Sequence, residues 1–172
     1  MYLLGGCVVT TLGPGDRAPE FSVIDLGSTE RQLGALLRHG PLVLAIGKST
    51  CGTCELAFPY VERLFGAYAS GNWSLLALLQ DARGPARRFA RRLGLTFPIA
   101  TEVPPYPVSR AFDPEATPTL FLIDPGGLVA DTVAAFSKDG LNRLAAALAE
   151  RIGEEPVVIA PSGDGKPAFR PG

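Results

Sequence analysis

The chain has 172 residues, of which 47% are hydrophobic and 19% are charged, as expected for one globular domain with a substantial core. A formal net charge of −1 leaves no positive excess of the kind by which proteins bind nucleic acid or anionic membranes. Three cysteines are too few for a disulfide scaffold.

The first twelve residues form an apolar extension with no basic residue in front, too short for a signal peptide or a membrane span. Leu4-Gly-Gly-Cys7 resembles the end of a bacterial lipoprotein signal, in which the cysteine is lipidated, but only six residues precede Cys7. We therefore expect a cytoplasmic protein. An exported or lipid-anchored protein is the alternative if the true start lies upstream.

The next segment predicts a turn-rich lead into a short strand and one helical turn. Residues 13–20 are polar and rich in glycine and proline, Phe21–Asp25 alternates as a strand does, and Leu33–Arg38 suits one turn of helix. His39, the only histidine, lies among turn residues. We interpret it as a solvated loop residue rather than a catalytic base.

The centre of the chain predicts a strand, a turn, a cysteine pair and a helix. Leu42–Ile46 is an apolar run with the length of a buried strand, and a turn separates it from Cys51 and Cys54. Helical spacing of apolar residues extends from Glu55 to Ala69, with Pro59 inside it predicting a kink. The first sulfur therefore lies at a helix N-terminus, where free amide groups and the helix dipole favour a thiolate.

Two thiols so arranged support disulfide exchange. The thiolate is the attacking species, and a pKa lowered from about 8.5 towards about 7 raises the reactive fraction at neutral pH. We predict that Cys51 is the nucleophile and that Cys54, one helical turn away, resolves the mixed disulfide. Lys48, three residues before the first cysteine, either adds positive potential or points to solvent.

Other uses of the pair fit the sequence less well. A zinc site normally takes four ligands, and the remaining candidates, Cys7 and His39, are not at ligand spacing. Haem attachment requires a histidine directly after the second cysteine, where this chain has Glu55. A structural disulfide between residues this close restrains little of the unfolded chain. We therefore expect redox chemistry and no metal.

The middle of the chain predicts two strands and two helical segments. Asn72–Leu79 is a second apolar strand, and Gly84–Leu93 is an amphipathic helix whose arginines form either a solvated face or a docking site for an acidic partner. Leu95–Ala100 suits a short edge strand, because it contains proline. A rigid connection at Pro104–Pro107 and a helical turn at Val108–Phe112 follow.

The last third predicts a proline-led β-hairpin and a final helix. Ala116–Asp124 and Leu128–Val133 flank an Asp-Pro-Gly-Gly turn, and Ser137 is a helix cap. The apolar stripe of that helix consists of Leu141, Leu144, Ala145, Leu148 and Ile152. Beyond the helix, Val157–Ile159 predicts at most a short strand, and residues 160–172, rich in proline and glycine, are predicted to be loose.

This order of elements resembles the thioredoxin fold, and more narrowly the TlpA/ResA branch of thiol–disulfide oxidoreductases, which borders on the peroxiredoxins. The matching motifs are Gly15-Asp-Arg-Ala-Pro-Glu-Phe21, Cys51-Gly-Thr-Cys54 with Pro59 in the helix, and Thr117-Pro-Thr-Leu-Phe-Leu-Ile-Asp124 with Gly127. The resemblance implies an α/β fold with a central mixed β-sheet flanked by helices and a central insertion. We divide the chain into an N-terminal extension (1–12), a thioredoxin-like domain (13–152) and a C-terminal tail (153–172).

The resemblance also implies roles for residues around the pair. In the family the proline matching Pro118 is cis and packs beside the cysteines, and the residue matching Thr117 offers backbone hydrogen bonds to a substrate chain. An ordinary trans proline at the start of a strand is the alternative. Thr50 replaces the usual tryptophan, and Ala45 replaces the buried aspartate that helps proton transfer in thioredoxin. The dipeptide Gly52-Thr53 differs from the Gly-Pro of thioredoxin and helps to set the reduction potential.

The resemblance predicts a thiol–disulfide oxidoreductase that reduces or oxidises protein disulfides, with an upstream redox partner and no cofactor beyond its own Cys51–Cys54 disulfide. We expect a monomer that binds no nucleic acid. One alternative is a peroxiredoxin-like peroxidase, but aligning its Pro-x-x-x-Thr-x-x-Cys signature on Cys54 puts Cys51 in place of the threonine. The other is a non-enzymatic module that holds Cu(I) through soft thiolates, although neither Met nor His lies beside the pair.

Overall fold

The computed structural model describes residues 11–172, so Cys7 and most of the N-terminal extension lie outside the described residues. The strands are β1 (Ser22–Ile24), β2 (Glu30–Gln32), β3 (Leu42–Gly47), β4 (Ser74–Leu79), β5 (Ile99–Thr101), β6 (Thr119–Ile123), β7 (Val129–Ala134), β8 (Phe136–Ser137) and β9 (Phe169–Arg170). The helices are α1 (Leu33–Leu37), α2 (Gly52–Ala67), α3 (Arg83–Leu93), α4 (Pro107–Phe112) and α5 (Lys138–Ile152).

A five-stranded mixed sheet with the strand order β5-β4-β3-β6-β7 forms the centre of the molecule. Strands β3, β4 and β5 are parallel, whereas the hairpin β6–β7 is antiparallel to β3. All six residues of β3 are buried, which explains why its sequence is continuously apolar rather than alternating. The architecture confirms the predicted α/β thioredoxin fold with helices on both faces of a mixed sheet.

Alternate residues of β3 point into two separate cores, as the two-residue period of a strand requires. Val43 and Ala45 pack with residues of α2, α3 and α5. Leu44 and Ile46 pack on the other face with residues of α1 and α4. The sheet is therefore covered on both faces, and its strand ends are the places where functional loops emerge.

The strand register brings three distant parts of the chain to one edge of the sheet. Gly47 of β3 pairs with Leu79 of β4 in parallel register, so both strands end at the same edge. Ile46 pairs with Thr119 at the start of antiparallel β6, so the residues preceding β6 arrive at that edge as well. In open α/β sheets, ligands bind outside such strand ends. In this protein, three segments meet at that edge of the sheet: the cysteine pair, the loop after β4 and the Thr117–Pro118 segment.

The strand predicted at Leu95–Ala100 is shifted, and β5 covers only Ile99–Thr101. The backbone amide of Thr96 donates to the Glu62 carboxylate at 2.8 Å, so it is not available to a neighbouring strand. Pro98 has no amide hydrogen, and only its carbonyl joins the sheet, accepting from Ala77 at 3.0 Å. Pairing therefore begins after the proline.

The tail beyond α5 differs from the prediction in two respects. Val157–Ile159 does not pair as a strand, and the amide of Val157 donates instead to the Tyr68 hydroxyl at 2.9 Å. Residues 160–172 are not loose, because they are held by the buried ammonium of Lys138. This ammonium donates to the Pro161 carbonyl at 2.9 Å and forms an ion pair with Asp164. Within residues 11–172, no helix has the length and apolar character needed to cross a membrane.

Candidate functional site

The structure places Cys51 at the N-cap of α2, as the sequence predicts. Its backbone is extended, with φ −93° and ψ 115°, and its Sγ accepts a hydrogen bond from the Cys54 amide at 3.3 Å. The sulfur thus takes the role that a Ser, Thr or Asp oxygen usually has at this position, satisfying one of the free amides of the first turn. A negative charge on that sulfur is favoured by the same amide and by the helix dipole.

Thr117 and Pro118 lie directly beside Cys51. The Cys51 thiol donates to the Thr117 carbonyl oxygen at an Sγ···O distance of 3.2 Å, and the Thr117–Pro118 peptide bond is cis, as the family resemblance implies. The Pro118 carbonyl accepts from the amide of Ala135 at 2.8 Å. Ala135 itself has φ +62°, a left-handed conformation that is strained for a residue with a side chain and that turns the chain from β7 into β8 beside the site.

Cys54 is fully buried, whereas Cys51 is half-buried. The Cys54 sulfur lies so close to Gly47 that a Cβ atom there would be 3.2 Å from Sγ, and it would also be 2.9 Å from the Phe58 ring. Only glycine fits this close approach of β3 to α2. Both cysteines are free thiols, so the structure represents the reduced form of the pair.

The two thiols have opposite pKa shifts. Burial tends to raise the pKa of Cys51, but hydrogen bonds from the Thr117 side chain and the Cys54 amide outweigh burial, and the net pKa is lowered. Burial raises the pKa of Cys54 strongly, and hydrogen bonding and the charge of Cys51 raise it further. The two thiols therefore differ in two ways: Cys51 is partly accessible and ionises more readily, whereas Cys54 is buried and its protonated form is favoured.

An acidic residue that was not predicted from the sequence, Asp81, holds the loop before Cys51. The Asp81 carboxylate accepts from the Ser49 amide at 2.7 Å and from the Ser49 hydroxyl at 2.6 Å. Ser49 and Asp81 each lie two residues beyond the paired residues Gly47 and Leu79. Parallel pairing of the two apolar strands, had it been assumed from the sequence, would have placed Asp81 next to Ser49.

Lys48 acts on the pair through its backbone. Its carbonyl accepts from the Cys51 amide at 3.2 Å, and its backbone hydrogen bond to Cys54 opposes the rise of that cysteine's pKa. Its side chain is half-buried and forms no ion pair with the described part of the chain. The predicted contribution of positive potential from its ammonium group stays a prediction.

The remaining predicted site residues lie at different distances from the sulfurs. Gly52 is exposed next to Cys51, Thr53 is buried, and Pro59 lies farther along α2, which continues through it to Ala67. Thr50 is exposed and lines an open groove of about 570 Å³ together with Ser49, Pro85, Arg88, Phe89 and Arg92. The groove lies between the cysteine loop and α3.

Two further contacts to the site come from the tail and were not predicted. The Thr53 hydroxyl donates to the Pro171 carbonyl at 2.6 Å, and Gly172 lies against the backbone of Thr117. His39 lies in the turn before β3, at the opposite end of that strand from the cysteines. Within residues 11–172, no group of three or more His, Cys, Asp or Glu side chains is placed to hold a metal ion.

Solved structures with the same fold include several bacterial thiol proteins. A protein assigned as the thiol:disulfide interchange protein DsbE from Chlorobium tepidum is 24% identical, with a TM-score of 0.74 over 83% of this chain and 99% of its own. The thioredoxin domain of thiol-disulfide oxidoreductase BVU-2223 from Bacteroides vulgatus is 15% identical, with a TM-score of 0.71 over 82% and 99%. Peroxidoxin BcpB from Mycobacterium tuberculosis is 21% identical, with a TM-score of 0.65 over 83% and 95%.

At these identities the structural likeness shows the fold alone. No curated protein is significantly similar in sequence. The family profile of Redoxin, however, matches residues 13–148, which is well over half of the chain and includes both cysteines and the cis-proline. The chain therefore belongs to the Redoxin family.

Proposed function

We propose that this protein is a thiol–disulfide oxidoreductase that exchanges electrons with disulfides of other proteins. Membership of the Redoxin family supports an oxidoreductase activity in general terms. The observation that carries the finer proposal is the asymmetry of the pair. Cys51 is accessible, with a lowered pKa and the Thr117 carbonyl 3.2 Å from its sulfur, while Cys54 is fully buried with a raised pKa.

The reaction follows from this asymmetry. The Cys51 thiolate attacks one sulfur of a substrate disulfide, the other substrate sulfur leaves as a thiolate, and a mixed disulfide forms. The Cys54 sulfur then attacks Cys51 and releases the second substrate thiolate. The pair loses two electrons and two protons, which the two substrate sulfurs gain. The reverse sequence oxidises a substrate dithiol.

The remaining residues position the reactants. Thr117 offers its backbone to an extended substrate segment beside the nucleophile, in the manner of an added β-strand. Asp81 and Ser49 hold the loop that carries the nucleophile. No dissociable cofactor enters the cycle, since the disulfide itself is the electron carrier, and a second redox protein resets the pair. We further propose a cytoplasmic monomer.

A peroxidase activity is the second candidate, because the fold is shared with peroxidoxin BcpB. A peroxidatic cysteine must meet peroxide directly, with a hydroxyl nearby to orient it. Alignment of the peroxidatic signature selects Cys54, yet its side chain is fully buried and Cys51 occupies the threonine position. Saturable consumption of hydrogen peroxide in stoichiometric cycles would favour this candidate.

The test of the proposal is the reduction potential of the Cys51–Cys54 pair in glutathione or dithiothreitol buffers, with Cys51→Ser as the control. We expect a reversible two-electron couple that is absent from the control. A reduction potential of about −270 mV indicates a reductase, and a reduction potential of about −120 mV indicates an oxidant. If no intramolecular disulfide forms at any buffer ratio, the proposal is wrong and Cu(I) binding by the two thiols becomes the leading alternative.

A further inference from the structure

The C-terminal tail returns to the cysteine pair across the surface of the domain. It is fastened at two points before it reaches the site. Asn142 of α5 exchanges two hydrogen bonds with the backbone of Ala160, both at 2.9 Å. Asp164 accepts from the Lys138 ammonium and from the Tyr60 hydroxyl, both at 2.5 Å. These fastenings fix the direction in which the last residues run.

The last five residues, 168–172, form what we call the terminal strap. The strap adds a short antiparallel strand beside the site, with Phe169 paired to Ser137 and Arg170 paired to Phe136. The Lys138 amide donates to the Ala168 carbonyl at 2.9 Å and extends this pairing. An edge strand is thus already engaged by an extended peptide, which is the geometry of β-augmentation.

The end of the strap lies on the residues that surround the nucleophile. The Pro171 carbonyl accepts from the Thr53 hydroxyl, between the two cysteines, at 2.6 Å. A Cβ atom on Gly172 would be 2.6 Å from the Thr117 carbonyl oxygen, so the strap and Thr117 are in direct backbone contact. A Cβ atom on Gly52 would be 3.0 Å from the Arg170 guanidinium. The strap therefore covers the helix terminus and the cis-proline loop together.

A protein substrate needs this same surface. The substrate disulfide must reach Cys51. If the substrate chain beside that disulfide pairs as a strand, it lies across Thr117 and along the edge of β8. The strap occupies both Thr117 and the edge of β8. It is also lightly held, because its strand is only two residues long and 60% of the Phe169 side chain is exposed. An occupant of this kind can be displaced.

Small disulfides face no such obstacle. The open groove lined by Thr50, Arg88 and Arg92 approaches the cysteine loop from the side of α3, and none of its lining residues belongs to the strap. Cys51 follows Thr50 in the chain and is half-buried, so we expect a compound with few atoms to approach it from this side while the strap stays in position. The two classes of substrate should respond differently to removal of the strap.

We propose that the terminal strap is an internal ligand of the substrate-binding surface and that protein disulfides must displace it before they react with Cys51. This inference rests on the proposed function, since it takes the surface around Thr117 to be the docking site for substrates. Closure reduces apparent affinity in proportion to the fraction of open molecules, so a strap closed nine-tenths of the time weakens protein substrates about tenfold.

The test compares the full chain with a variant lacking residues 168–172, which keeps the fastenings at Asn142 and Lys138. Oxidation of the reduced pair is followed by quenching with an alkylating reagent, with insulin as the protein disulfide and 2-hydroxyethyl disulfide as the small one. We expect the deletion to raise the second-order rate with insulin about threefold to tenfold, depending on the closed fraction. The rate with 2-hydroxyethyl disulfide should change by less than about twofold, because its approach does not depend on that fraction.

A point variant tests the same idea without shortening the chain. Gly172→Leu adds a side chain where even a Cβ atom meets the Thr117 backbone, so it should push the strap away and raise the insulin rate in the same direction. Ser162→Leu is the matched control, since Ser162 is exposed in the tail and lies outside the strap. A synthetic peptide with the sequence Ala-Phe-Arg-Pro-Gly should restore inhibition of the deletion variant, whereas a scrambled peptide should not.

The outcomes separate the two proposals. If the deletion variant, Gly172→Leu and the full chain reduce insulin at equal rates while all reduce the small disulfide, the strap inference is wrong and the proposed function stands. If none of them exchanges with either disulfide, and the oxidised pair does not accept electrons from the matching dithiols either, the proposed function itself is wrong. An equal acceleration by Ser162→Leu would also overturn the inference, because a change outside the strap would then have the same effect.

Discussion

The contact between Asp81 and Ser49 makes a quantitative prediction about how the loop before Cys51 is held. Asp81→Ala removes both hydrogen bonds, at 2.7 and 2.6 Å, and leaves the Ser49 amide without its partner. Hydrogen bonds to charged groups contribute about 1.5–3 kcal/mol each. Because both bonds to Asp81 are partly exposed to solvent, each contributes about 1.5 kcal/mol or less. We therefore expect Asp81→Ala to lower the free energy of unfolding by about 2–3 kcal/mol. For a domain of this size, each kcal/mol shifts Tm by about 2–4 °C, which gives a decrease of about 4–12 °C.

The assays are urea unfolding, which gives the free energy of unfolding, and thermal unfolding, which gives Tm; both are followed by the fluorescence of Trp73, the only tryptophan in the chain. Iodoacetamide labelling with mass spectrometry provides a second readout. At the start of this loop, the Lys48 backbone forms a hydrogen bond with the Cys54 sulfur, and a Cβ atom on Gly47 would be 3.2 Å from that sulfur. A loosened loop should therefore expose Cys54, which is fully buried in the native protein, to the reagent.

A matched control exists elsewhere in the molecule. The Glu62 carboxylate accepts from the Thr96 amide at 2.8 Å and from the Thr96 hydroxyl at 2.5 Å, which is the same pair of contacts in an exposed position away from the cysteines. Glu62→Ala should cost less than about 1 kcal/mol and leave Cys54 unlabelled. Asp81 does not hold this loop if Asp81→Ala costs no more stability than Glu62→Ala and also leaves Cys54 unlabelled.

Three further predictions follow from the same region and its surroundings. The midpoint pH of Cys51 alkylation should be lower in the folded protein than in the urea-unfolded protein, since the fold lowers its pKa, and an equal or higher midpoint contradicts the site geometry. Gly47→Ala should destabilise the fold by about 1–3 kcal/mol, because the new methyl group lies 2.9 Å from the Phe58 ring; unchanged urea unfolding would contradict this. Burial and Asp164 raise the pKa of Tyr60 to about 12, so its neutral form is favoured in the folded protein. Stability from this hydroxyl is complete below its unfolded pKa of about 10 and is lost as the pH rises towards 12, which ultraviolet titration against Tyr60→Phe measures.

The parts of the fold with strong hydrophobic periodicity could be predicted from sequence. The strand before the cysteines, the helix after them and the hairpin from Thr119 to Ala134 all lie close to their predicted positions. The cis Thr117–Pro118 bond followed from the resemblance rather than from local pattern, since a proline at the start of a strand is equally compatible with the trans form.

Elements held by side-chain contacts could not be predicted in this way. The start of β5 depends on Glu62, which lies 34 residues from Thr96 in the chain. The course of the tail depends on Lys138, whose buried ammonium donates hydrogen bonds to three oxygen atoms of the tail. No periodic pattern in the sequence indicates these acceptors. Polar residues of this kind resemble ordinary surface residues in the sequence, so their partners become evident only when the topology brings them together.

The two cysteines are neighbours in the chain, yet the features that make them different come from far away. Thr117, whose side chain lowers the pKa of Cys51, is 66 residues from that cysteine, and the carboxylate that holds the preceding loop is 32 residues from Ser49. In an unfolded chain both thiols revert to ordinary solvated side chains with similar reactivity. The ratio of their alkylation rates therefore reports on tertiary structure, because it changes when the native sheet edge is lost.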